Sequence, residues 1–523
     1  MTGYVNASDK SDFGVYVASY ESKSRALALQ INQKLLKVPA ISRGGRGKVL
    51  IIGAGASGIA AACRLLERGF RNVTILEAQN RIGGRVHTVK FADNVIELGA
   101  EWVHGEHGNV SHKLAAPYNL LESSKALNDT STYIFIDSQG NHIPKTESTQ
   151  LLDLYHDIHS KLSENIKKFR GSYGEYFSTK YHGALGENPI TDPIRASQFL
   201  EWIHRYENII ECSDSWYDTS AQGLTEYHTC PGDPLLNWKG KGYKTLFDLL
   251  MCRYAGTSKA LPVREKIQFN KVVSNIDYNS MNEIIVKTED NSHYVADHVI
   301  CTASLGVLKA QHKTLFTPPL PEIKQSTIQG LNIGTVDKIF LEFPYTWWPD
   351  GTAGFNLIWS QEDKNEFLQS FGQENKWLTE FFHISTVDHQ PRVLSGWLTG
   401  PTARYMENLP DAVVVEGFYK ILQKFLSGTY NVPRPLNMMR SSWHKNKHFR
   451  GCYSFRSLES DRLNVWAKNL AEPITGSNDK PVILFGGEAT HEHYYSTVHG
   501  AIETGFREAD RLSNYYRERK CHL

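Results

Sequence analysis

The sequence predicts an α/β protein. A Rossmann-like dinucleotide-binding unit is assembled discontinuously and interleaved with a second unit of mixed sheet and helices. Three observations carry that expectation. The apolar run Val49-Leu-Ile-Ile52 leads into Gly53-Ala-Gly55-Ala56-Ser-Gly58, and a helix-like run follows. A second apolar run, Val73-Thr-Ile-Leu76, ends on Glu77. Far along the chain a third, Val482-Ile-Leu-Phe485, is followed by Gly486-Gly487-Glu488. The chain has 523 residues, enough for two large interleaved units.

Each element follows from its local pattern. Residues 1–46 are polar, end in Ser42-Arg-Gly-Gly-Arg46, and read as a leader. Ile59–Arg68 has helical character and is closed by Gly69. Residues 113–230 are mixed, with helical periodicity near 149–168 through Leu151, Leu152, Tyr155, Ile158 and Leu162. A helix over Tyr243–Met251 precedes strands at Lys266–Asp277, Ile284–Thr288 and Tyr294–Thr302. After a second mixed region, about 306–440, the run at Val482 begins a last strand, and a helix spans Val498–Arg517. Strand-type segments therefore return in three blocks. The expected division is 47–112, 232–310 and 442–523 for the dinucleotide unit, with 113–231 and 311–441 for the second unit.

Composition excludes several classes. With 41% apolar, 22% charged and 11% aromatic residues the chain is globular, not disordered or collagen-like. Lys+Arg minus Asp+Glu is 57 − 56 = +1, so no global field argues for nucleic acid or a membrane surface. The seven cysteines are odd in number and scattered, and no CxxC occurs. That reads as a reducing compartment with no disulfide framework and no metal cluster. No apolar stretch reaches the ~18 residues of a spanning helix, and the first 40 residues lack a secretory h-region. The terminal Cys521-His522-Leu523 resembles a peroxisomal address, which would make an import receptor a partner and the location peroxisomal; otherwise it is cytoplasmic.

Gly53-x-Gly55-x-x-Gly58 sits between a strand and a helix, the context a dinucleotide fingerprint requires. Gly53 permits the tight turn, Gly55 lets the backbone approach a pyrophosphate, and Gly58 lets helix and strand pack closely. Ala56 opens the helix, whose N-terminus favours that anion. Glu77 lies 19 residues after Gly58, where a carboxylate would hold a ribose hydroxyl. Arg81-Ile-Gly83-Gly84-Arg85 then supplies a second backbone approach and a guanidinium for phosphate. This second element is not needed by nicotinamide dehydrogenases and points to FAD.

Four blocks carry a family likeness: Val49–Thr88; Glu97-Leu-Gly-Ala-Glu-Trp-Val-His-Gly105; Thr335-Val-Asp-Lys-Ile-Phe-Leu-Glu-Phe343; and Leu484–Thr490 with Tyr494–Gly500. On these the chain resembles the flavin-containing amine oxidases, and within them the animal polyamine oxidases, from about residue 47 to 516. The resemblance implies oxidation of an amine C–N bond to an imine by hydride transfer to FAD. Oxygen is reduced to hydrogen peroxide, and an aldehyde and a shorter amine are released. The substrates it implies are spermine, spermidine or their acetylated forms.

It also implies roles. Lys338 falls on the lysine that holds a water against the flavin ring, and His104 on a residue beside the substrate; both are expected to be catalytic. Glu101 and Trp102, in the second block, are expected at the cofactor. Gly487 and Glu488 resemble the turn and carboxylate holding the ribityl or ribose portion. Thr497 and Val498 are expected at the flavin, Val273 at the adenine end, and Trp443 beside the ring system. Tyr453 falls on one wall of an aromatic pair, but Thr497 stands where monoamine oxidases have the other ring. That departure favours a long aliphatic polyamine. Cationic substrates also need carboxylates along their tunnel; Glu211 and Asp214 flank Cys212 in a segment that loosely resembles the family's substrate-lining loop, but they read as solvated acids.

Other classes remain as alternatives. A histone-demethylase-like chromatin protein would need an added nucleosome-binding domain and a long helical hairpin, which this chain lacks. An L-amino-acid oxidase would need an arginine anchor and usually a secretory signal. Lys338 argues against an inactive flavin scaffold.

Overall fold

The computed structural model describes residues 47–124, 132–162, 166, 169–187, 192–254 and 260–521. The expected leader and His522-Leu523 lie outside the described residues. The fold is α/β. Its first sheet has six strands in the order Ile474–Thr475, Pro481–Phe485, His298–Cys301, Val49–Ile52, Val73–Leu76 and Ile267–Gln268. All pair in parallel except the Ile474–Thr475 edge. Ile51 sits between Ile300 and Ile75 in register, and all three are fully buried. Continuous apolar runs are what a parallel sheet covered on both faces requires.

The helix Ala56–Glu67 packs against the C-terminal helix Val498–Cys521. At their crossing a Cβ on Gly505 would lie 2.2 Å from the Ser57 carbonyl oxygen, so the two backbones nearly touch. Ser57 Oγ and Thr504 Oγ1 share a hydrogen bond of 3.2 Å across the contact.

Two expected strands are each divided. Tyr294–Thr302 is not one strand: His293–Ala296 joins a four-stranded sheet, and His298–Cys301 joins the six-stranded one. The break falls at Asp297, whose carboxylate accepts from Lys48 N at 2.7 Å and whose N–H donates to Lys48 O. Lys266–Asp277 likewise splits into Ile267–Gln268 and Val273–Asp277. Asn270 between them is left-handed, with φ 57°. A residue in that conformation interrupts a ladder.

The second six-stranded sheet runs Asn437–Arg440, Val336–Glu342, Gln390–Thr399, His383–Val387, Gly354–Ile358, Tyr133–Asp137. Every residue of Val336–Glu342 is buried. The helix Pro193–Glu211 is tied to this sheet by Trp202 Nε1, which donates to Phe382 O at 3.1 Å. The helix Asp411–Leu426 packs Phe418 on Phe381, with ring centroids 4.7 Å apart. The periodic stretch near 149–168 forms the helix Lys145–Ser160, burying Leu151, Leu152, Tyr155 and Ile158. Among the described residues no helix is long and apolar enough to cross a membrane, and no group of three His, Cys, Asp or Glu side chains could hold a metal.

Candidate active site

Three glycine-bearing stretches, distant in sequence, meet at the ends of the parallel strands. Gly53 turns with φ 101° as its N–H donates to Leu76 O. A Cβ on Gly58 would lie 2.0 Å from Gly53 O, so only glycine lets this helix start where it does. Gly55 forms a parallel bridge with Gly83, and a Cβ on Gly84 would lie 3.4 Å from Gly55 Cα. No side chain caps the helix beginning at Ala56, and its first turn carries no acid. The result is a backbone cradle at a helix N-terminus, suited to a pyrophosphate. Glu77 is buried beside it and accepts from Ala54 N at 2.7 Å and Gln79 N at 2.8 Å. Burial raises its carboxyl pKa, and these two amide contacts partly offset that. Lys271 N donates to Glu77 O, which brings the strand starting at Val273 alongside.

The third stretch is bound to the second by charge. Arg85 Nη1 donates to Glu488 Oε1 at 2.8 Å and to Cys452 O at 2.6 Å. Glu488 Oε2 also accepts from Ser454 Oγ at 2.6 Å and Ser496 N at 2.9 Å. Burial works to raise the Glu488 pKa, but Arg85, Ser454 and Ser496 together hold it below the ordinary value. Arg85, expected on a phosphate, is thus engaged by Glu488. Gly487 has φ 112°, and its N–H donates to Thr504 Oγ1 at 2.9 Å. The Thr497 side chain is occupied at the start of the C-terminal helix, where Oγ1 accepts from Gly500 N and donates to Tyr494 O. Val498 is the first helical residue and is half-buried.

Lys338 points inward and is 4% exposed. Its three ammonium protons are matched by Glu97 O at 3.2 Å, Gly99 O at 2.9 Å and Glu101 Oε2 at 2.6 Å. Nζ lies 4.5 Å from the centroid of the Trp397 ring and 5.7 Å from that of Trp102. The two indoles stack at 5.9 Å, and Trp102 Nε1 donates to Ser124 Oγ. Burial pushes the Glu101 pKa up, and Lys338 pulls against it. Glu97, deeper still, is raised to about 8 by burial, with Tyr243 N and Thr88 Oγ1 on its carboxyl opposing the rise. Trp443 closes the other side: Nε1 donates to Leu98 O at 3.1 Å, and a Cβ on Gly99 would lie 3.1 Å from the indole.

His104 is exposed, yet the protein around its ring lowers its pKa by desolvation. Nδ1 lies 3.1 Å from Pro234 O. A carbonyl partner requires the proton on Nδ1 and leaves Nε2 with its lone pair. His499 behind it is held near pKa 3, by burial first and then by His104. Tyr453 is half-buried and donates to Ile209 O at 2.5 Å.

The expectation of two solvated acids fails for Glu211. It is half-buried at the end of the helix Pro193–Glu211, and its carboxyl is pushed up to about 8, by burial first and then by Glu207. When ionised, it raises the pKa of Tyr453, Tyr227 and Tyr495, in each case after burial. Asp214 is exposed but held bidentately by Arg404 at 2.9 and 2.6 Å. Sequence reasoning also missed Trp397. The signal was its place opposite Lys338, but that register is visible only once the strands are paired.

A Rossmann-like cradle beside a buried lysine boxed by indoles defines an oxidoreductase that binds a dinucleotide with a redox ring. Comparison with known proteins makes the class specific. The family described as flavin-containing amine oxidoreductase matches residues 56–213 and 250–513, and the chain belongs to it. FAD is its cofactor. The chain is 30% identical over 503 residues to a peroxisomal N(1)-acetyl-spermine/spermidine oxidase of Bos taurus, covering 90% of this chain and 95% of that one. It is 28% identical to polyamine oxidase 1 of Zea mays, covering 91% and 92%. A solved double mutant of putrescine oxidase shares the fold at a TM-score of 0.64 and 17% identity, covering 90% of this chain and 99% of that one.

Proposed function

We propose that this chain is a polyamine oxidase acting on spermine, spermidine or their acetylated forms. The observation that carries the reading is the buried Lys338, held on Glu101 against the Trp397 ring in a chain of the flavin-containing amine oxidoreductase family; a Glu211 carboxyl raised by burial, whose field reaches Tyr453, would suit an entering ammonium. Thr497, in place of a second ring, leaves room for an unbranched aliphatic chain. The names of the relatives support the same substrate class.

The chain's own groups suit such a reaction. Gly53, Gly55, Ala56 and Gly58 would cradle the pyrophosphate and Glu77 a ribose, with Val273 at the adenine end. Gly487, Glu488, Thr497, Val498, Glu101, Trp102 and Trp443 would surround the remainder, with Arg85 held on Glu488. When bound, FAD supplies hydride acceptance from the carbon beside the reacting nitrogen and passes two electrons to oxygen, giving hydrogen peroxide. His104 Nε2, neutral at pH 7, accepts the proton that an ammonium must lose before its carbon can be oxidised. Lys338, paired with Glu101 beside the stacked Trp102 and Trp397, would present its ammonium where negative charge develops as electrons arrive. Glu211 and the Tyr453 face orient the cationic chain. We also assign residues 47–112, 232–310 and 442–523 to the cofactor-binding domain and the intervening stretches to the substrate domain. A peroxisomal location accords with the name of the bovine relative.

Peroxide release by the purified yellow protein, offered spermine, spermidine, their N-acetyl forms, tyramine and leucine, tests the reading. Turnover of polyamines supports it. A response to tyramine or leucine alone overturns it.

A further inference from the structure

Neighbouring residues on a strand face opposite ways, so Asp337 points away from the cleft that Lys338 enters. Asp337 is 0% exposed, and Glu407, at the end of the helix Gly400–Met406, is 4% exposed. The two carboxyls lie within hydrogen-bonding reach of each other. Glu407 has both oxygens filled by backbone amides: Oε1 accepts from His444 N at 2.7 Å, and Oε2 from Lys445 N at 2.6 Å. Asp337 Oδ1 accepts from Ser441 Oγ at 2.6 Å, and the Trp443 amide also reaches the Asp337 carboxyl. Asp337 Oδ2 has no donor. Two ionised carboxylates cannot stay together out of water. One proton on Asp337 Oδ2, donated to Glu407, satisfies every atom.

We propose that Asp337 and Glu407 form a carboxyl–carboxylate pair sharing one proton, which clamps the backbone of Ser441–Lys445 and so positions Trp443 and Lys338. The clamp reaches both. Ser441 Oγ, fixed by Asp337, accepts from Lys338 N at 2.9 Å, and Ser441 N donates to Lys338 O. Amides on both sides of the Trp443 side chain end on the acid pair, and its indole then braces Leu98 and Gly99, whose carbonyl holds Lys338 Nζ. Asp337 and Glu407 are positioning residues; neither enters the cleft.

Burial first, and then Glu407, raises the Asp337 pKa well above its ordinary value, so the shared proton persists at neutral pH and is lost as pH rises. Two cations lie near the pair, and each has a carboxylate partner: Arg440, beside Glu407, donates to Met406 O and Leu409 O and meets Asp411 at 2.8 Å. Arg404 senses Glu407 but is matched by Asp214, and Cys452 and Cys212 are buried thiols, with the Cys452 pKa raised well above its ordinary value, by burial first.

The inference rests on Trp443 and Lys338 lining the flavin site, so its test includes a readout free of flavin. In Asp337→Asn the amide N–H replaces the shared proton, whereas Asp337→Leu and Glu407→Gln each break the arrangement. The expected result is a visible flavin spectrum and a rate of flavin reduction by spermine within about twofold of the parent for D337N. A shifted spectrum and at least a tenfold slower reduction are expected for D337L and E407Q. In the flavin-free proteins, the melting temperature of D337N should rise relative to the parent as pH increases from 6 to 9, because only the parent has a proton to lose. The proposal is overturned if D337N is as impaired as D337L, if E407Q matches the parent, or if the melting difference is flat with pH. A flat difference with normal polyamine turnover would sink the clamp and leave the proposed function standing.

Discussion

Removing either member of the buried Lys338–Glu101 pair should have unequal consequences. In Glu101→Gln the ammonium keeps Glu97 O, Gly99 O and the two indole faces but loses its counter-charge. Breaking a buried pair costs about 3–5 kcal/mol, and the surviving contacts put this variant near the lower figure. In Lys338→Met the orphaned Glu101 takes up a proton, because burial already raises its pKa. The cost then grows by about 1.4 kcal/mol for each pH unit between the ordinary carboxyl pKa of 4.5 and that raised one, and the variant regains stability as pH falls. With both charges gone, the double variant should sit within about 1 kcal/mol of the parent. Urea titrations of the four FAD-saturated proteins, followed by tryptophan fluorescence at pH 6 and pH 8, give the coupling energy. At least about 2 kcal/mol of non-additivity is expected. Costs that add to within about 0.5 kcal/mol, or a Lys338→Met stability that does not depend on pH, would refute the reasoning.

Lys338→Met should also retain yellow flavin while reduction by amine or reoxidation by oxygen slows at least tenfold, measured by stopped flow; unchanged rates in both half-reactions remove the lysine from the mechanism. Gly58→Ala would force a Cβ to 2.0 Å from Gly53 O, so the purified variant should carry little FAD by its absorbance ratio, and full occupancy would contradict the cradle. Glu488→Gln leaves Arg85 without its carboxylate and should cost about 3 kcal/mol, seen as a lowered melting temperature and weaker FAD retention. Protonation of His104 should produce an acid limb in kcat/KM for spermine below its ordinary pKa of 6.5, and that limb should vanish in His104→Asn; a limb that survives places the titration elsewhere.

Much of the scaffold was readable because its signals are local. A parallel strand covered on both faces is a continuous apolar run, and a helix that meets a pyrophosphate must begin with glycines, so Val49–Ile52, Val73–Leu76 and the Gly53–Gly58 turn announce themselves. The inward lysine was reachable through its motif, although alternation could not help: all seven residues of its strand are buried. What escaped depends on pairings between distant segments. Trp397 meets Lys338 through strand register, Glu101, expected at the cofactor, ends on Lys338 Nζ, and Glu211 is desolvated by packing that no short window of sequence contains. The divided strands at Asp297 and Asn270 were hidden for a different reason, since apolar composition continues across a bend that only hydrogen bonding to Lys48 or a left-handed residue reveals.

The contact between the Gly58 helix and the C-terminal helix joins segments that leave the ribosome far apart in time. The first helix ends at Glu67 and its partner begins at Val498. At ~5–20 residues per second, that separation amounts to roughly 20–90 s of translation. Throughout it, a nascent chain presents Ser57, Ala61 and their apolar neighbours without the surface that will cover them. A ribosome stalled before Val498 should therefore display a chaperone-binding stretch near its N-terminus that disappears once synthesis is complete.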